Sequence, residues 1–168
     1  MKIFYLLLAL IVMFSTIRSV AADDDKPAEP GKKVPPDEIV HGNGDDVLEE
    51  IQGGNKDLFI IIFYVEESKA ADVESEIATN ITGGDYPWAR VTKVDLTKVQ
   101  DYYNLFSVVG LQGEPKRGHT EPQVLVMKQG EGFIIRGPKI IDGIVKRISR
   151  VQDGSIFGSG ANTISFNS

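Results

Sequence analysis

Outside its N-terminal segment, the chain's continuous apolar run is Leu58-Phe59-Ile60-Ile61-Ile62-Phe63-Tyr64-Val65, rich in β-branched and aromatic side chains and bounded by polar sequence. Such a run suits a strand covered on both faces. Around it, apolar spacing switches between the periods of helix and strand. Val47, Leu48 and Ile51 predict a helix over residues 45–51, closed by Gly53-Gly54, and a short edge strand over 39–41 precedes it. Val73, Ile77 and Ile81, four apart, predict a helix over 68–81 that Gly83-Gly84 stops. Residues 88–96 alternate as a strand. A helix over 98–107 presents Tyr102, Leu105 and Phe106 and breaks at Gly110. Strands over 123–128 and 133–136 flank a turn at 129–132. Pro138 then stands in the first turn of a helix whose apolar face is Ile140, Ile141, Ile144, Val145 and Ile148. The order is βαβαβαββα.

The two ends read differently. Lys2 followed by an apolar run over 3–14 and the small-residue stretch Ser19-Val20-Ala21-Ala22 is the layout of a secretory signal peptide over 1–22, cleaved after Ala21 or Ala22. The apolar core is shorter than the roughly 20 residues of a bilayer span. An uncut anchor holding a membrane-tethered structural subunit is the alternative. Once the segment is cleaved, no membrane association is expected. Residues 23–38, charged and proline-rich, read as a flexible spacer, and the Gly-, Ser- and Asn-rich tail over 152–168 as disordered. The expected domain is 39–151.

Composition narrows the chemistry. The 168 residues are 42% hydrophobic and 25% charged, enough for one globular core, and carry a net charge of −6 that becomes more negative without Lys2 and Arg18. An acidic surface repels phosphate backbones, so nucleic acid is not an expected partner. There is no cysteine. Two distant histidines give no zinc-ligand spacing, Asp23-Asp24-Asp25 reads as a solvated charge run, and Gly42-Asn43-Gly44 is a turn rather than a phosphate loop. No metal, no cofactor and no catalytic residue is expected. Asn80-Ile81-Thr82 is a glycosylation sequon for a chain that enters a secretory lumen.

Element order and particular residues together resemble the thioredoxin-like superfamily over 39–151. Phe63-Tyr64 stands where that family has an aromatic pair ending its central strand. Val94-Asp95-Leu96-Thr97 looks like the end of the next strand, and residues 120–131, with Pro122 before an apolar strand and a Lys-x-Gly turn, resemble the family's proline block. The resemblance implies a three-layer α/β/α sandwich with a mixed four- to five-stranded sheet, and a cis peptide before Pro122 facing the active-site loop.

Where the family has Cys-x-x-Cys, this chain has Ser68-Lys69-Ala70-Ala71. Ile62 takes the place of the buried proton-relay acid, and Glu67 that of the tryptophan beside the first cysteine. Thiol–disulfide exchange needs a thiolate, so the expectation is a redox-inactive relative of protein disulfide isomerase-type domains, resident in the endoplasmic reticulum lumen or secreted. Ser68 is expected to cap the helix that follows it rather than to act as a nucleophile.

What the resemblance leaves for function is contact with extended polypeptide through a patch of Tyr64, Glu66, Glu67, Ser68, Glu121 and Pro122, in a chaperone-like or adaptor role. On the other reading, Tyr64 and Pro122 merely complete the fold. The basic loop over 110–121, with Lys116, Arg117 and His119, is either a contact for an acidic partner or a solvated insertion.

Overall fold

The computed structural model describes residues 41–52, 56–111, 120–155 and 162–166. The leader, the spacer, residues 39 and 40 of the expected edge strand, Gly53-Gly54, and Lys116, Arg117 and His119 lie outside the described residues. His41 is described, and it is not in a strand.

The elements are α1 (Gly44–Gln52), β1 (Leu58–Tyr64), α2 (Glu67–Ile77), β2 (Arg90–Asp95), α3 (Val99–Val108), β3 (Gln123–Lys128), β4 (Glu131–Ile135), α4 (Ile140–Gln152) and β5 (Thr163–Ser165). They form an α/β unit around one mixed, open, five-stranded sheet in the order β2-β1-β3-β4-β5. β1 runs parallel to β2, with Phe63 paired to Val94 and Tyr64 to Asp95. It runs antiparallel to β3, with Ile62 opposite Val124 and Phe63 opposite Gln123. The antiparallel ladder continues through β4 to β5.

The apolar run of β1 is explained by its position between two strands and two helical layers. Phe59, Ile61 and Phe63 point into one core with Val47, Leu48 and Ile51 of α1 and Tyr102, Leu105 and Phe106 of α3. Leu58, Ile60 and Ile62 point into the other with Ala70 and Ile77 of α2 and Ile140, Ile144 and Ile148 of α4. Alternate side chains of a strand face opposite ways, so a strand with helices on both faces has no position for a polar residue.

Local chemistry sets the helix starts. Asn43 Oδ1 accepts from the amides of Asp45 and Asp46 at 2.8 and 3.1 Å, while Asp46 Oδ2 accepts from the amides of Gly42 and Asn43 at 2.8 and 3.2 Å. This reciprocal cap is what makes Gly42-Asn43-Gly44 a helix entry. Before β2, Thr79 Oγ1 and Asn80 Nδ2 donate to the carbonyls of Ser75 and Glu76, four residues back. Side chains that occupy these carbonyls compete with the helical ladder, and α2 opens into a π-helical turn, Ala78–Thr82, whose Gly83 amide donates to Ala78 O at 2.7 Å. Ile81 still reaches the core through this turn.

Several sequence expectations are corrected. Ser68 is not a cap: α2 begins at Glu67, its N-cap residue is Glu66, no side chain caps it, and Ser68 lies exposed within the first turn. Pro138 lies before the N-cap residue Lys139 and outside α4. Val145, expected on the apolar face of α4, is 53% exposed, and Val151 completes that face instead. The strand expected over 88–96 is confined to Arg90–Asp95 and leaves Trp88 at the surface. In the tail read as disordered, Thr163–Ser165 forms β5, paired to β4.

Candidate functional site

At one end of β1 the chain leaves the sheet and enters α2, and the sheet register brings a second segment to the same place. Phe63 pairs with Gln123, and continuing that register by one residue sets Tyr64 opposite Pro122, which is buried at the entry to β3. The contact is fixed by Lys69. Its Nζ donates to Thr120 Oγ1 at 2.7 Å and to Glu121 Oε1 at 2.9 Å, with Glu66 Oε2 at 3.9 Å. One ammonium therefore ties the first turn of α2 to the two residues ahead of Pro122. Glu121, beside it, holds the Lys69 amine protonated above its ordinary range.

A second cation organises the other side. Lys93 of β2 lies 2.8 Å from Glu67 Oε1 and 2.9 Å from Glu74 Oε2. Those two acids are seven residues apart, two helical turns, so they share the face of α2 that lies over β2. Lys93 is raised well above the usual lysine range by these two carboxylates. Glu67 is lowered, first by Lys93 and then by the Tyr64 hydroxyl that donates to it. Tyr64, half-buried against the α2-side core, is pushed up to about 12 by burial, then by the neighbouring Glu67 and Asp95 carboxylates. A phenol in this setting is a neutral hydrogen-bond donor.

All six residues expected in a contact patch thus lie at the junctions of β1 with α2 and of the preceding loop with β3. Tyr64 ends β1, Glu66 and Glu67 start α2, Ser68 is exposed beside them, and Glu121 precedes Pro122. The carboxylates of Glu66, Glu67 and Glu121 face solvent, and the half-buried Tyr64 donates its hydroxyl to Glu67. Ile62 is fully buried among apolar neighbours. Lys69 and Lys93 were not legible as members of the site, because a lysine on a helix or strand ordinarily reads as solvated surface. The signal available was that Lys93 sits in register with Val91 and Ala89, on the face of β2 turned toward α2.

His41, one of the two histidines without zinc-ligand spacing, serves structure. Its Nε2 lies 3.0 Å from the Lys93 carbonyl oxygen and 3.0 Å from Thr92 Oγ1, and its Nδ1 lies 2.8 Å from the Tyr102 hydroxyl. A carbonyl only accepts, so Nε2 carries a proton directed at Lys93 O. This ties the entry of α1 to β2 and α3.

Asn80 is exposed, and its amide nitrogen donates to Glu76 O within the helix. Among the described residues, no group of three His, Asp or Glu side chains converges as a metal site, and no helix is long and apolar enough to cross a membrane. Compared with known proteins, the chain matches no family model and no curated protein.

Proposed function

We propose that this is a redox-inactive, thioredoxin-like protein of the secretory pathway that binds an extended polypeptide at the Tyr64–Pro122 junction. The observation that carries the reading is the Lys69 bridge, which draws the N-terminus of α2 onto Thr120 and Glu121 beside Pro122. A parallel strand pair joined by α2, an antiparallel β3-β4 hairpin and helices on both faces support the thioredoxin-like assignment. The leader pattern over 1–22 supports secretory entry. With serine and alanine in place of both sulfurs, the junction retains only contact chemistry: a neutral phenol whose oxygen accepts while its proton is held by Glu67, and three solvent-facing carboxylates that accept from the amides of an extended chain.

The test is titration of the full chain with a permanently unfolded, carboxymethylated polypeptide, followed by amide chemical shifts. Shifts are expected at residues 64–68 and 120–122, with affinity falling at least fivefold in Tyr64→Ala and in Glu67→Ala. Binding unchanged in both variants, or shifts absent from these segments, overturns the proposal.

A further inference from the structure

The opposite edge of the sheet is closed by the chain's own tail. β5 pairs antiparallel with β4 through Glu131–Ser165, Gly132–Ile164 and Phe133–Thr163. Main-chain bonds extend the ladder at both ends: the Ile134 amide donates to Asn162 O at 2.9 Å and the Phe166 amide to Gly130 O at 2.8 Å. Such bonds are blind to side-chain identity. Selectivity comes from Ile164 and Phe166, two apart and therefore on one face, which pack partly buried against the α1–α3 core.

The fit is incomplete. Whereas β1 and β3 are buried almost throughout, every residue of β5 is half-buried or exposed. Beside Ile164 a cavity of about 340 Å³ opens between the end of α3, β4 and β5, lined by Val108, Val109, Ile134, Arg136, Asn162 and Ile164. Arg136 marks its rim, donating to Gln123 Oε1 and lying 3.4 Å from Asn162 Oδ1. A three-residue strand that, with Phe166 after it, buries two side chains imperfectly sits at the low end of local stability. An edge released from it exposes unpaired amides and carbonyls that pair with any extended chain.

From this we infer that the outer edge of β4 is a second polypeptide-binding site, for an extended segment with large apolar side chains at alternate positions, and that residues 162–166 are its tethered competitor. The space is open and largely polar-lined, so a side chain larger than isoleucine that also carries a hydrogen-bond donor, as tryptophan does, reaches into it and competes with the tail. The tail holds the site by covalent attachment, since a short tether supplies an effective concentration on the order of millimolar. The site uses neither Tyr64 nor Pro122 and stands independently of the junction proposed above.

The experiment uses the full chain and the full chain carrying Ile164→Lys and Phe166→Lys, probed with two fluorescein-labelled heptapeptides: the sequence of residues 161–167, and the same sequence with tryptophan at the Ile164 position. Both peptides are expected to bind the double variant at least tenfold more tightly than the unaltered chain, the tryptophan peptide more tightly than the other. Amide shifts are expected over residues 130–136 and none over residues 64–68. Equal affinity for both proteins, no binding to the double variant, or shifts over residues 64–68 in place of 130–136 overturns the inference. So does a double variant that no longer unfolds cooperatively, because β5 is then an integral strand and not an exchangeable one.

Discussion

Tyr64 shows how a site is set by what surrounds a residue. Its ring packs on the core, its hydroxyl donates to Glu67, and the Glu67 and Asp95 carboxylates oppose a phenolate. Lys93 favours the phenolate but is already engaged by Glu67 and Glu74, so desolvation and negative charge win. The folded protein therefore holds the Tyr64 proton more tightly than the unfolded chain, whose phenol titrates near 10. The stability this supplies is complete below pH 10 and is lost as pH rises through about 12. Urea denaturation between pH 9 and 12 is expected to show a steeper loss in the unaltered protein than in Tyr64→Phe. Parallel loss in the two contradicts the assignment.

At the scale of elements, the β3-β4 hairpin shows how a turn decides what its neighbours become. Residues 129–132 read as a four-residue turn, but Gln129 and Gly130 alone make it, both with positive φ, at 52° and 77°. Two central residues with positive φ match the right-handed twist of the flanking strands. β4 accordingly begins at Glu131, and Gly132 becomes a strand residue paired to Met127 on one side and Ile164 on the other. A Cβ there would run into the Val126 carbonyl and the Met127 backbone, which have no room to withdraw inside the sheet. Gly132→Ala is expected to cost about 2–3 kcal/mol, as overpacking against a fixed neighbour does. The readout is a lower urea midpoint at unchanged slope, and a midpoint within error of the original counts against the packing described.

Across the whole molecule, stability is graded from the middle of the sheet outward. β1 is held by parallel and antiparallel ladders and by two apolar layers, while β5 has one ladder and partial cover. With no cysteine in the sequence, no disulfide reinforces the edges. Amide exchange is therefore expected to be slowest at Ile60, Ile62, Val124 and Val126, opening only on global unfolding, and at least a hundredfold faster at Phe166. Equal protection at both places is inconsistent with this gradient and with an exchangeable tail.

The local pattern was enough for the elements of the core, because each has an unambiguous signal: an unbroken apolar run for β1, helical spacing at Val47, Leu48 and Ile51 for α1, and a short run between a proline and a turn for β3. The six junction residues were named from the resemblance alone, and the structure brings them to the ends of β1 and of the loop before β3. Ser68 was misread, since a serine ahead of a helical pattern looks like a cap whether the helix starts before or after it. Val145 was misread too, since adjacent Ile144 and Val145 offer two apolar faces and only packing chooses between them. β5 has three residues, too few for any period to show, and is a strand only because β4 presents an open edge. Sequence thus determined which segments must be buried, while tertiary structure decided which charges meet, Lys69 with Glu121 and Lys93 with Glu67 and Glu74. The physical reason is range: hydrophobic periodicity is written along the chain, whereas an ion pair or an edge pairing depends on residues brought together from far apart in it.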